Sequence, residues 1–525
     1  MNTTKRLLCL LLVLTMLVGV LAGCNDNSKK NPDDTDDETS TTAGNGDENG
    51  NDDTTAGDDN TTGGDVTEDP RKADTLDPSY DFGGVQEFVV LSRSSTTYEF
   101  ESPKGANLSG VEQAIYDRNA ATEERCNVEI KVIPLAGDWG NLETFTAALR
   151  ENNSLTTSQY DLVATHQAYL ASAVLEGYSW DFDQLPNIDL SKIWWSEAYY
   201  NEVNYNGAVY MMYGDIAYTL YEYLEVIFFN EQLAEDVGID GLYELALDGD
   251  WTFAKLKEYS ALITPNPDAD EASREYGFLT NSHAQRSFMG ALGVDLAPIN
   301  ADGQHEFASS LHVSQSTPLQ DFLSFVTANP NVLADCDSST AAWKHDPIFA
   351  EGRALFYSQT LDSATYLKGE MAQNYGLLPF PKYNDLQKNY VTGIRDTVTG
   401  IMVPYNCRNA EMAGTVTEML SMYSFQEVTD AYYEEKLKYQ SFNNPLCVQT
   451  LELIRTTFAP SFVMSFSYYM NYANSLFSGS VGSSVSAGVP VDVNTNYKSS
   501  VGTYRKRCRD LYKMLDKIAD KRATA

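Results

Sequence analysis

Thirty-three tyrosines outnumber 22 phenylalanines in this 525-residue chain. They gather in two stretches: Tyr199, Tyr200, Tyr205, Tyr210, Tyr213, Tyr218, Tyr221 and Tyr223, then Tyr468, Tyr469 and Tyr472. A ring with a polar tip suits a ligand that has apolar C–H faces and a rim of hydroxyls, as a sugar does. Asp, Asn and Gln side chains take such hydroxyls. The half-buried surface of a large protein also accommodates tyrosines, so the clusters carry more than any single member. Other chemistries find little support. There is no GxSxG, no HExxH, no GxxxxGKS/T and no GxGxxG after a strand. His166, His283, His305, His312 and His345 show no i,i+4 or HxH spacing, so neither a metal nor a cofactor is expected. Asp268-Ala269-Asp270-Glu271 lacks the glycine and terminal glutamate of an EF-hand loop. A glycosidase carboxylate pair is a spatial arrangement, and 74 acidic residues leave it open.

Against those 74 acids stand 36 Lys+Arg, a net charge of −38. That balance excludes a nucleic-acid partner, which demands basic patches, and electrostatic recruitment to a membrane surface. The first thirty residues read as an address. Lys5 and Arg6 precede an apolar run, Leu7 to Leu21, of signal-peptide length. Leu21-Ala22-Gly23-Cys24 then matches a bacterial lipobox, with Cys24 the lipidation site. The membrane is thus expected to be met through a lipid anchor only, with the body outside the cell. From 25 to 79 the chain is Asn, Asp, Thr, Gly and Glu with almost nothing apolar, 17 acids against 4 bases. Such a segment cannot bury enough surface to order itself. Its 55 residues make a disordered tether reaching roughly 40 Å. Cys126, Cys336, Cys407, Cys447 and Cys508 have no metal-ligand spacing and read mostly as buried free thiols. Cys126 closes a helical stripe with Val111, Ile115, Asn119 and Thr122.

The elements that must position these residues follow. Strands are expected at Gln86–Ser92, Val128–Ile133 and Asp161–Ala164, with helices at 110–126, 145–151 and 169–175 between and after them. That is the alternation of a parallel sheet with covered faces. The pattern restarts at Val226–Phe229. Helices are expected at 231–237, 252–262 and 285–292, and strands near Phe278, Ala354–Tyr357 and Gly376–Pro379. Two α/β bodies result. Helices dominate after Arg408, apart from a loop-rich 478–496. The last helix, 498–519, carries Arg505, Lys506, Arg507 and Arg509 on a solvated face. Trp194-Trp195 reads as a packing pair.

Several stretches carry a resemblance. They include Ala114-Ile115-Tyr116-Asp117-Arg118-Asn119 with Glu123 to Val128, and Tyr160-Asp161-Leu162-Val163 with Gly177. Gly214-Asp215-Ile216, Phe228-Phe229-Asn230 and Asp248 to Phe253 follow, then Gly352 to Tyr357 and Gly376 to Tyr383. In this order and spacing the chain resembles the bacterial extracellular solute-binding proteins of the ABC sugar-importer type, family 1, to which maltose-binding protein belongs. The resemblance implies an α/β, two-lobed, periplasmic-binding-protein-like (type II) fold with a hinge. The lobes would be about 80–220 with 380–440 and about 221–379 with 441–525, following a 1–24 signal and the 25–79 tether. It implies a monomer that passes a carbohydrate ligand to ABC permease subunits. Ligands of open α/β sheets bind outside the carboxyl ends of strands. Candidate binding residues are therefore Thr165, His166, Gln167 and Tyr169 after one strand, and Asp215, Tyr218, Tyr221 and Tyr223 before another. Asn281 and His283 follow a third strand, and Gln359 and Asp362 a fourth. Tyr468 and Tyr469 match a region that supplies stacking aromatics. Ala168 stands where the maltose-binding member has an acid, which argues against maltose itself.

Two other readings stay open at this point: a cell-surface polysaccharide-active enzyme, and a binder of peptides or another polar solute on the same scaffold. A carboxylate pair about 5–10 Å apart would favour the enzyme. Charge anchors and backbone-pairing edges would favour peptides.

Overall fold

A computed structural model describes residues 69–84, 86–103, 105, 107–264, 268–270, 273–334, 344–433 and 444–523. The signal segment, Cys24, the tether as far as residue 68, and Cys336 lie outside the described residues. Among the described residues nine strands form two sheets. They are β1 (Glu87–Arg93), β2 (Glu129–Leu135), β3 (Leu162–His166), β4 (Glu225–Asn230), β5 (Tyr276–Thr280), β6 (Val332–Ala334), β7 (Ala354–Thr360), β8 (Tyr375–Leu378) and β9 (Thr399–Met402). The first sheet has the order β2-β1-β3-β9 and the second β6-β5-β7-β4-β8. Each is parallel except where the chain returns: β9 runs antiparallel to β3, and β4 antiparallel to β7 and β8. The purely parallel sheets expected from the strand–helix alternation are corrected on this point. A strand arriving from the other lobe need not follow the βαβ crossover that enforces parallel pairing.

Local sequence explains the elements. Phe88 to Leu91 are all buried, so β1 is covered on both faces. The helix Gly110–Cys126 opens with a reciprocal cap, Ser109 Oγ accepting from Glu112 N at 3.3 Å and Ser109 N donating to Glu112 Oε2 at 2.7 Å. It stops at Asn127, whose φ of 49° is left-handed. Its buried face differs from the expected stripe in one member. Arg118, not Asn119, is fully buried, donating to Glu99 O and Ser424 Oγ, both at 3.0 Å.

The lobes are joined by segments lying side by side. Glu225 N donates to Gly393 O and Arg395 N to Tyr223 O, each at 3.0 Å. Thr392 N donates to Thr457 O at 2.9 Å, bringing a third crossing alongside. The Glu99 carboxylate, fully buried in the first lobe, fixes this region by accepting from Thr219 N (2.8 Å) and Thr399 Oγ1 (2.6 Å).

Other expectations are corrected. The region 478–496 is not loop-rich: Leu476–Ala487 is a helix and the next, Val493–Ala523, already begins within it. Its serines mimic loop composition but bond back to the preceding turn, Ser480 Oγ to Leu476 O at 2.8 Å and Ser484 Oγ to Ser480 O at 2.7 Å. The last helix does not belong to the second lobe alone. Tyr497 donates to Ala308 O at 2.8 Å, while Arg522 donates to Ser179 O and lies 4.5 Å from the Tyr210 ring centroid. The far end of the expected tether is also ordered. Residues 69–79 pack on the first lobe, where Lys192 Nζ donates to Ala73 O at 2.9 Å and Arg125 pairs with Asp74 at 2.7 Å. Few apolar groups mark this segment because side chains of the body grip its backbone. The tyrosines between 199 and 221 are mostly core. Tyr199 and Tyr213 stack at 3.7 Å, both almost wholly buried. Trp194 and Trp195 both donate to the Glu418 carboxylate, at 2.9 and 3.0 Å. Cys126, Cys407, Cys447 and Cys508 are free thiols. Among the described residues no helix is long and apolar enough to cross a membrane.

Candidate functional site

The strand ends of both sheets meet between the lobes. Arg93 ends β1, Thr165 and His166 end β3, Thr280 ends β5 and Gln359 lies near the end of β7. A Cβ at Gly137 would stand 3.0 Å from both Arg93 Cγ and the Phe145 ring, so glycine lets the loop after β2 close over Arg93. That loop carries Trp139.

His166 Nδ1 accepts from Ala168 N at 3.1 Å, which places the ring proton on Nε2. Its ring stacks on Tyr169 at 5.2 Å and lies 5.7 Å from Trp139. Burial pushes its pKa down to about 4, so the imidazole is neutral. Among the described residues Nε2 is buried with no hydrogen-bond partner, and so are Thr165 Oγ1, Thr280 Oγ1 and His283 Nδ1. Buried polar groups are nearly always satisfied. These four, from both lobes, sit at or just after the carboxyl ends of β3 and β5. His283 is likewise lowered to about 4, by burial first and then by Arg395, with His166 also acting on it from the other lobe.

Charges line the same region. Arg286 Nη1 donates to Asp396 Oδ2 at 2.8 Å. Burial raises the Asp396 carboxyl, but Arg286, His166, His283 and Arg395 together bring it below the ordinary range. Arg395 reaches Gln359 and stands 3.9 Å from Glu225. Burial, only partly opposed by Arg395, leaves Glu225 raised to about 7.

Beside this cluster three aromatic rings stay open to solvent: Trp139 (49 % exposed), Tyr468 (36 %) and Tyr472 (42 %). Tyr468 and Tyr472 present edges to Trp139 at 6.4 and 5.9 Å. Tyr472 holds a left-handed backbone, φ 58° and ψ 42°, a strained choice for an aromatic residue that often accompanies function. A cavity of about 970 Å³ is lined by Tyr98, Tyr218, Glu222, Tyr223 and Asp362. Tyr98 donates to Glu222 Oε2 at 2.9 Å across it. Among the described residues no three His, Cys, Asp or Glu stand close enough to hold a metal ion.

Two α/β lobes, three adjacent crossings and a polar cleft at the strand ends define the architecture. This is the two-lobed solute-binding fold. A sugar transporter from Rhizobium etli in an open conformation superposes with TM-score 0.55 at 13 % identity, over 80 % of this chain and 99 % of that one. An ABC substrate-binding protein from Listeria monocytogenes, in complex with cycloalternan, gives 0.52 at 14 % identity, covering 80 % and 98 %. The galacto-N-biose/lacto-N-biose I-binding protein of an ABC transporter from Bifidobacterium longum, with lacto-N-biose bound, gives 0.52 at 14 %, covering 80 % and 98 %. No protein-family model and no curated protein matches the sequence.

Within the solute-binding fold the expected site residues separate into groups. Thr165, His166 and His283 bring unpartnered polar atoms to the cleft. Tyr218, Tyr223 and Asp362 line the large cavity, and Tyr468 belongs to the open aromatic trio. The others are engaged elsewhere. Gln167 donates to Met464 O at 3.2 Å and Tyr169 to Asp138 O at 2.6 Å. Asp215 accepts from Tyr221 and Thr429, both at 2.6 Å, a closed set inside a crossing segment. Burial raises that carboxyl to about 6. Asn281 caps a helix by accepting from His283 N and Ala284 N. Gln359 is tied to Tyr357, and Tyr469 faces the last helix under Arg507. Arg93, Trp139, Arg286, Asp396 and Tyr472 were not among the expected residues. The strand-end rule would have reached Arg93 and Trp139 had it been applied to β1 and β2; Tyr472 stands in the second tyrosine cluster.

Proposed function

We propose that this protein is the extracellular receptor of an ABC importer, capturing a sugar or oligosaccharide between its lobes and handing it to permease subunits. The observation that carries this reading is the open trio Trp139, Tyr468 and Tyr472 beside orphaned polar atoms from both lobes. Rings offer faces to sugar C–H groups, and orphaned donors and acceptors await hydroxyls. Ligand that bridges both lobes favours closure by its differential affinity for the closed state. The fold's likeness to sugar-bound receptors supports the same reading. Cys24 would carry the lipid and the acidic segment would hold the body, as a monomer in two lobes, off the membrane. Capture without turnover is expected.

A thermal-shift screen over mono- and oligosaccharides tests the reading, since a ligand at 100 times its Kd stabilises by about 2.7 kcal/mol. Hydrolysis of a chromogenic glycoside with no soluble sugar binding would overturn it. Cys24→Ser should abolish lipidation; protein that keeps its lipid after this change would refute the anchor.

A further inference from the structure

Resting on the receptor reading, we infer that the sugar taken by this cleft carries a carboxylate, as a uronic acid unit does, and that Arg93 receives it. Arg93 is 3 % exposed. Its Nε donates to Thr96 Oγ1 at a long 3.5 Å, and among the described residues it has no ion pair. The two other buried arginines are better satisfied: Arg395 has Glu225 and Gln359, and Arg118 donates to Glu99 O and Ser424 Oγ, while the partly buried Arg286 pairs with Asp396. Glu99 is within electrostatic reach of Arg93, but both its oxygens are taken by Thr219 and Thr399. A guanidinium withdrawn from water without a counter-ion is costly, and its planar fork matches a carboxylate with two parallel hydrogen bonds.

The surroundings fit a sugar acid rather than a bare anion. The loop that closes over Arg93 carries the Trp139 face, and β3 adds His166 Nε2 and Thr165 Oγ1. The charge of Arg93 reaches both His166 and Tyr223, the latter in the wall of the large cavity. That cavity is also lined by Glu101, Glu222 and Asp362, which disfavour a dianionic phosphate more than a monoanionic carboxylate. A net charge of −38 repels anions at long range, so an acidic sugar that binds does so through a local contact.

The test is calorimetry on the purified protein with trisaccharides of galacturonate, glucuronate and mannuronate. Each is paired with its carboxyl-reduced neutral counterpart and with a sulfated one. At least one acid should bind tenfold or more tighter than its neutral partner. Arg93→Gln should weaken the acid at least tenfold and leave the neutral sugar within threefold. Arg93→Lys, which keeps the charge and loses the fork, should fall between and guards against misfolding of the Gln variant. Neutral sugars binding as well as every acid, or a preference that survives in Arg93→Gln, would overturn the inference and leave the receptor reading standing. Equal losses for acid and neutral sugar would make Arg93 a packing residue. Stronger binding of the sulfated form would overturn the carboxylate assignment, and no sugar binding of any kind would sink both readings.

Discussion

Truncating Trp139 isolates the stacking face. An indole of roughly 250 Å² that is 49 % exposed shows about 120 Å² to solvent, and a sugar covering one of its two faces removes about half of that. At ~25 cal/mol per Å² this contributes about 1.5 kcal/mol. The orientation-dependent part of an aromatic contact raises the total to about 2 kcal/mol, a loss of roughly 30-fold in affinity. The fold should tolerate Trp139→Ala, because the ring is half exposed and meets Tyr468 and Tyr472 only edge-on; surface substitutions of this kind stay within about 1 kcal/mol. Calorimetry with the sugar found by the thermal-shift screen gives the affinity, and urea unfolding gives the stability. A change in Kd below threefold in a stably folded variant would show that the aromatic trio does not hold the ligand.

Tyr223→Ala and Asp362→Ala, both in the wall of the large cavity, should each weaken binding by about 1–3 kcal/mol; unchanged affinity in both would remove that cavity from the site. His166 and His283 have folded pKa values near 4 against an ordinary 6.5. Their contribution to stability is complete above pH 6.5 and is lost as the pH falls through 4, by about 2–3 kcal/mol each. Urea unfolding between pH 7 and 4 should therefore steepen less in His166→Gln, and an equal slope would contradict the burial argument. Arg408→Ala leaves the fully buried Asp161 carboxylate with Val89 N alone and should cost about 3 kcal/mol; a melting temperature within a degree of wild type would refute this.

Legibility in the sequence followed the range of the interactions. The helix Gly110–Cys126 is readable because its cap, apolar positions and left-handed stop all lie within a short run from Ser109 to Asn127, and β4 because Val226–Phe229 is a continuous apolar run. The helix Leu476–Ala487 is not, since serines and glycines give no period until a neighbouring helix fills the space beside them. For the site, the strand-end rule reaches Thr165, His166 and His283, which the chain places at the end of β3 and just after β5. It says nothing of which arginine has a partner. Arg286 meets Asp396 across 110 residues, and among the described residues Arg93 forms no ion pair, facts of tertiary distance only. The tyrosines mislead for a related reason. Tyr221 reads as an available hydroxyl until it is seen donating to Asp215, which also accepts from Thr429.

The last helix, Val493–Ala523, is held on the second lobe by Tyr497 and by Arg505, 3.1 Å from Glu306, and on the first by Tyr205 against Asp516 and by Arg522. It runs unbroken between those moorings, away from the crossings that serve as the pivot. Any rotation of the lobes must therefore flex this rod or drag one end from its berth, at an elastic cost to closure. If the protein captures a solute by closing its lobes, as we propose, apparent affinity would depend on the stiffness of this helix, because the fraction of molecules ready to close scales the intrinsic constant. Substitutions along its outer face would then shift affinity without altering the residues of the cleft.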